Sequence, residues 1–387
     1  MTDLQRLAQA LYEWVVNGVE VADAQRIHSD LLSLDVPSWS QLTASFPNVI
    51  TLRVARTLID RAHALLTVAP EAAVAIAHSA TLVVAHAPAS ADAELITSIE
   101  VDGDAWKTYA QALLCIGRYP EAEAAANNAS TMYTLGQLDE KQATLGLIAG
   151  EILHNLGQTD KGLITIEQNT NLLLSFFENK KRYVQGRLIY AKVLVDARRP
   201  KEALEVFLNT AGLAEELEDK ELQAYVLHNA GICYNLLGKF NKACACTEIA
   251  LEIFEELGQK TNAIRSRFEL ATLLVARGKF KQAINEFYMN QNALLALGLI
   301  VEAAHVGLTI VETLPLDGRD ADVPPLCKWM IDTFNKAGMH RKALEALGHL
   351  NLVAQKKGSL TADDVQSVRS VLDLLGSAHA DQDIQHV

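Results

Sequence analysis

The chain is short of several things, and each shortage narrows the field. Aromatic residues make up only 6% of the 387 positions, and proline, at 9, is scarce. Alanine and leucine dominate the apolar half, a mix that favours helix over strand. No run of alternating β-branched residues bounded by hairpin signals is present, so a sheet is not expected. Basic excess is missing too: the net charge is -13, and a general nucleic-acid binder needs a basic face. A clean apolar span is also lacking. The most apolar stretch, 64–91, holds Pro70, Glu71, His78 and His86, short of the ~20 apolar residues a membrane helix requires. Met1-Thr2-Asp3-Leu4 opens without the basic and apolar regions of a secretory signal. The cysteines, Cys115, Cys233, Cys244, Cys246 and Cys327, are odd in number and have no framework spacing. Reduced thiols and a cytoplasmic location are the expectation.

What is present is a repeat. Turn residues fall at Gly117, Gly157, Arg198, Gly238 and Gly278, with steps of 40, 41, 40 and 40, and one more step of 40 reaches Gly318. Glycine suits such turns because it enters positive φ without steric cost. Seven residues before each turn stands a small residue: Ala110, Gly150, Ala191, Gly231, Ala271. Seven residues are two helical turns, so these share the face that meets the partner helix. Five residues after the turn come Ala122, Ala203, Ala243 and Ala283. Each unit is thus a helix, a tight turn and a second helix, pressed together at small residues. Trp106, Leu113, Tyr234, Leu274, Phe207 and Phe287 are expected to fill the space between neighbouring pairs. A chain this long escapes the size limit of a single core because each unit packs on its neighbours.

The pattern resembles the tetratricopeptide repeat. Trp106, Gly150, Gly231, Tyr234, Ala122, Ala243, Ala250, Phe207 and Phe287 stand where that family has its aromatic and small residues, and 225–258 is the best unit. The family's usual period is about 34; the longer one here resembles the long-helix variety found in bacterial peptide-responsive regulators and in eukaryotic adaptors. The resemblance covers roughly 50–357. It implies an all-α, right-handed superhelical solenoid of antiparallel helix pairs. Three departures stand out: Gly162 and Asn169 replace expected alanines, and Arg198 replaces a turn glycine.

Residues 1–48 read as an N-terminal helical cap with Trp14 and Trp39, and no basic recognition helix is found there. The repeat array is expected over 49–357, beginning with a degenerate unit at 53–87. A spacer within 88–104 should break the register. Val301–Leu314 is expected as a helix, with another starting near Leu326 and closed by Gly338, and a further one over 340–356. A C-terminal capping helix is expected over 358–376 and a tail over 377–387.

Candidate sites are few. Cys244 and Cys246 lie ~200° apart on a helix and do not converge as metal ligands. The Asp317–Asp322 segment lacks the full calcium-loop frame. No histidine stands in a zinc-protease or nucleophile signature, and no glycine-rich phosphate loop follows a strand. No catalytic residue, metal or cofactor is assigned, and an enzyme is not expected. In such arrays the first helices line the concave face. Spacing from the turns places there Lys107, Gln111, Glu151, His154, Asn155, Gln185 and Lys192. It also places Tyr225, His228, Asn229, Ile232, Asn235, Arg265, Phe268, Glu269 and Thr272 there. Asparagine can clamp a peptide backbone, Tyr225 and Phe268 can anchor apolar groups, and Arg265 can meet a carboxylate. The expected role is a protein- or peptide-binding scaffold or adaptor, with no nucleic acid and no membrane among its partners. The alternative is a peptide-responsive sensor that sequesters or releases a transcription or signalling protein.

Overall fold

The computed structural model describes residues 2–18, 21–66, 68–88, 92–176, 180–336 and 339–357. The expected capping helix at 358–376, the tail at 377–387 and Gly338 lie outside them. Among the described residues all regular structure is helical, and no helix is long and apolar enough to cross a membrane. The chain divides into two compact units, Met1–Val193 and Leu194–Val387.

The first unit opens with α1 (Asp3–Glu13), a π-turn at Trp14–Gly18, α2 (Val21–Leu32) and α3 (Val36–Ser45). These pack with α4 (Leu52–Leu65) and α5 (Pro70–His86) around one core that holds Trp14, Leu31, Trp39, Leu58 and Ala80. As the all-round apolar pattern of α5 implies, twelve of its residues are buried. The next four helices form two pairs: α6 (Asp92–Cys115) with α7 (Tyr119–Leu135), and α8 (Asp139–Asn155) with α9 (Thr159–Leu173). Then α10 (Lys180–Asp196) begins the next.

The second unit continues with α11 (Pro200–Glu216), α12 (Lys220–Leu236), α13 (Phe240–Glu256), α14 (Lys260–Ala276), α15 (Phe280–Ala296) and α16 (Ile300–Thr313). A short 3₁₀ segment, Leu314–Asp317, leads to Gly318, and α17 (Val323–Lys336) and α18 (His340–Lys357) follow. Helix α17 starts three residues before the expected Leu326. Pro324 and Pro325 sit inside its first turn, where a missing N–H costs nothing.

All six turn positions adopt the left-handed conformation: Gly117, Gly157, Gly238, Gly278 and Gly318 have φ of 70–82°, and Arg198 has 61°. At each the chain closes a Schellman turn, as where Lys239 N–H donates to the Tyr234 carbonyl at 2.8 Å. A second set, not read from the sequence, falls midway at Gln137, Glu218, Gly258 and Gly298. From α11 to α15 every helix has 17 residues, and left-handed turn residues separate one from the next.

Of the spacer expected within 88–104, Pro88 lies outside any helix, 89–91 lie outside the described residues, and 92–104 are helical. Helix α6 is continuous from Asp92, through Asp102, Gly103 and Asp104. A methyl group at Gly103 would strike the Tyr133 ring, and the Tyr133 hydroxyl donates to Asp104 at 2.7 Å. The glycine is a slot for a neighbouring aromatic, and the aspartate its hydrogen-bond acceptor.

The small residues meet as expected. At Gly231 a side chain would run into the Thr247 hydroxyl and the Ala243 carbonyl, the latter 3.3 Å from where a first methyl would sit. Gly231→Leu is expected to lower stability by about 1–3 kcal/mol through overpacking. Lys239→Ala, at an exposed side chain, should shift it by about 0.5 kcal/mol or less. Equal urea midpoints for the two variants would show that the close contact lies elsewhere.

Candidate functional site

Within each unit the first helices of successive pairs are neighbours, and a series of side-chain bonds one repeat apart ties them. In the first unit Arg182 Nη1 on α10 donates to Thr144 Oγ1 on α8 at 2.9 Å. Lys192 Nζ on α10 reaches Glu151 on α8 at 3.0 Å, and Lys141 on α8 pairs with Glu100 and Asp104 on α6. In the second unit Asn262 Nδ2 on α14 donates to the Tyr225 hydroxyl on α12 at 2.8 Å. His228 and Ser266 meet at 3.1 Å, and Asn235 Nδ2 donates to Thr272 Oγ1 at 3.1 Å. Arg265 on α14 pairs with Glu302 on α16 at 2.8 Å. Each unit thus presents a row of polar first-helix faces.

Many of the residues chosen from spacing lie in these rows. Lys107, Gln111 and Gln185 line one cleft in the first unit. Glu151 and Lys192 form an ion pair, the Asn155 amide donates to the Glu151 carbonyl, and His154 Nδ1 meets the Thr159 hydroxyl at 3.0 Å. In the second unit Tyr225, His228, Asn229, Ile232 and Asn235 share α12, and Arg265, Phe268, Glu269 and Thr272 share α14. Phe268 leans on buried Phe287, ring centroids 5.2 Å apart. Tyr225 stands edge-on to Phe254 at 5.3 Å.

The structure adds a constraint that spacing could not. The amide of Asn229 donates to the Tyr225 carbonyl at 2.8 Å on its own helix, so its backbone-clamping hydrogens are partly engaged. The carboxyl of Arg265's partner, Glu302, is already in place. A ligand would exchange these bonds rather than fill vacancies, which favours a polar extended chain that can return one hydrogen bond for each it displaces. The partner residues Thr144, Arg182, Asn262, Ser266 and Glu302 were not read from the sequence. Complementary groups 37–41 positions apart were the available signal.

Electrostatics differ along the rows. Burial pushes the Glu269 carboxyl up to about 7, against the hydrogen bond from Thr272. Burial, with Arg265 nearby, holds the His228 imidazole down at about 4. At neutral pH His228 is therefore an uncharged hydrogen-bonding group, and Glu269 is close to its titration point. Cys244 donates to Glu248 at 3.1 Å, while Cys233 is buried.

The sequence pattern of the tetratricopeptide repeat family matches residues 222–288. Response regulator aspartate phosphatase I of Bacillus subtilis (strain 168) is 34% identical over 90 residues, 22% of this chain and 23% of that protein. The match therefore spans under a quarter of that relative's length. A solved Rap protein complexed with competence and sporulation factor superposes with a TM-score of 0.54 at 15% identity, over 97% of this chain and 98% of the other. The apo form of RapI gives 0.48 at 15% identity, over 92% and 99%. At these identities the likeness to solved structures is one of fold.

Proposed function

We propose that this chain, a tetratricopeptide-type helical repeat protein, is a regulatory binding protein that holds a peptide or an extended protein segment on its first-helix faces. The observation that carries the reading is the row of complementary side chains joining α12, α14 and α16, which sets amide, hydroxyl, guanidinium and aromatic groups on one surface. The solved Rap protein named above is complexed with a factor, and we carry that mode of ligand to this chain. A peptide lying across several helices would contact groups spaced by one repeat, and its binding would rigidify the row.

The test is an affinity capture from native cell extract, followed by titration of the captured segment as a synthetic peptide. Wild type is compared with the triple variant Tyr225→Ala, Asn229→Ala, Arg265→Ala, checked for folding by circular dichroism. The expected result is a partner bound by wild type and weakened at least about tenfold in the variant, one charge-assisted bond alone being worth that much. Equal binding by both would move recognition off this surface.

The sensor reading differs in one observable. A ligand that changes the repeat geometry alters the radius of gyration in solution scattering, whereas a static scaffold keeps it. We assign binding rather than catalysis, since the sequence carries no catalytic motif. The relative's name, an aspartate phosphatase, supplies the rival. Phosphate release from a phosphorylated response-regulator receiver domain, faster with the protein than without, would overturn that assignment.

A further inference from the structure

The first unit contains a cleft of about 530 Å³ with a basic lining, in a chain of net charge -13. Residues of α6, α8 and α10 line it, together with His63 of α4 and Leu173, the last residue of α9. Such a volume suits a small ligand or a terminal peptide residue. Among the described residues that line it are three cations, Lys107, Lys181 and Arg182, and no carboxylate, with Lys181 already engaged in an interaction of its own. The nearest carboxylate partner of Lys107 is Asp104 at 3.2 Å. That group is shared with the Lys141 ammonium and the Tyr133 hydroxyl, so it neutralises Lys107 only in part. Arg182 lies 3.5 Å from Glu140 and donates to a neutral hydroxyl, Thr144. His63 is uncharged at neutral pH, its basicity lowered by burial and then by Lys107.

Two other features narrow the ligand. The side-chain carbonyl of Gln111, which lines the cleft, is buried and has no hydrogen-bond partner within the protein. A buried acceptor left unpaired is costly, and a ligand N–H would satisfy it. The lining also holds three apolar side chains, Leu147, Ile148 and Leu173. An inorganic anion offers neither an N–H nor an apolar group.

We propose that this cleft is an anchor for the free carboxyl terminus of a peptide whose last side chain is apolar. The carboxylate lies against Arg182 and Lys107, the N–H of the terminal residue donates to Gln111, and the side chain covers Leu147, Ile148 and Leu173. One amino-acid residue at a chain end carries all three complementary groups at once. An internal aspartate or glutamate brings the charge but not the adjacent apolar side chain. The inference rests on the peptide-binding reading above and adds which part of a peptide the first unit takes, its free carboxyl end.

The test uses the full chain and an array of randomised hexapeptides tethered at their amino ends and terminating in leucine. Each sequence is made both as the free acid and as the carboxyl-terminal amide. Wild type is expected to bind free acids at least about tenfold more tightly than the matching amides, the worth of a charge-assisted hydrogen bond. Arg182→Gln and, separately, Lys107→Gln are expected to remove that preference while thermal unfolding shows each still folded. The exposed site of Arg182 keeps the test open should the Lys107 variant unfold. Acids and amides bound equally by wild type, or a preference untouched in both variants, would overturn the anchor and leave peptide binding standing. Binding to no peptide of either form would overturn both readings.

Discussion

Gly162→Ala should lower the stability of the first unit by about 1–3 kcal/mol, although alanine is the residue this position usually carries in such repeats and although alanine is the better helix former by about 1 kcal/mol. The reason is the facing residue. Where other pairs set alanine against a small side chain, α8 and α9 set Gly150 against Gly162, and the two backbones approach so closely that a methyl at Gly162 would lie 2.5 Å from the Gly150 carbonyl oxygen. The reverse change, a methyl at Gly150, would lie 2.8 Å from the Gly162 carbonyl and would strike Ile166 as well. A flexible side chain can swing aside; a helix backbone moves only with its neighbours, so the strain spreads through the pair. Gly212 supplies the contrast. It lies within α11, and nothing stands within 4 Å of a methyl built on it. Gly212→Ala should therefore raise stability by about 0.5–1 kcal/mol through helix propensity alone. Urea unfolding of the two variants beside wild type checks both signs. Two alanine variants that shift the midpoint in the same direction would show that the α8–α9 approach is not what holds Gly162 in place.

The same pair shows why some of the fold was legible and some was not. The 40-residue spacing exposed the turns because each needs a left-handed residue, and glycine marks most of them in the sequence. The midway turns at Gln137 and Glu218 carry no such mark: those residues accept φ of 52° and 51° at a local cost, because the surrounding hairpin leaves no other path. Gly162 and Asn169 read as departures from the repeat, yet both are matched by partners elsewhere. Gly146 makes room for the Asn169 side chain, whose amide donates to the Thr165 carbonyl at 2.8 Å. Asp102-Gly103-Asp104 falls within the stretch expected to hold a spacer because local composition cannot reveal that Tyr133, 29 positions on from Asp104, docks there. The candidate site divides the same way. Spacing from the turns found Lys107, Gln111 and Gln185, which the cleft does bring together, but it missed Arg182 and Leu173, whose position depends on how α9 ends and α10 begins.

Between about pH 6.5 and 4, three histidines that the fold holds uncharged should cost stability as pH falls, while the raised carboxyl of Glu269 works the other way in the second unit. His28, His228 and His305 each sit near pKa 4, against about 6.5 in an unfolded chain, and burial is the main cause in all three. His28 on α2 meets His78 on α5 at 2.9 Å, Nε2 to Nδ1, so one ring donates and the other accepts. Protonating both would place two donors and two positive charges face to face. His228 lies near Arg265, and His305 near Lys342. The sign follows from proton counts. Above about pH 6.5 both states are neutral at these sites and no penalty exists. Between about pH 6.5 and 4 the unfolded chain takes up protons that the folded chain refuses, so stability falls as pH falls; below about 4 the loss levels off. Each half-buried ring should contribute on the order of 1–3 kcal/mol to that loss. His28→Gln isolates one of them, since glutamine can still hydrogen bond to His78 but does not titrate. Relative to wild type the variant should gain on the order of 1–3 kcal/mol between about pH 7.5 and pH 4.5. Tryptophan fluorescence in urea makes the measurement local, because Trp14, Trp39 and Trp106 all lie in the first unit and only Trp329 lies in the second. Wild-type and variant stabilities that run parallel over this range would mean that the α2–α5 seam admits the charged imidazole, and the acid sensitivity would then belong to His228 and His305 in the second unit.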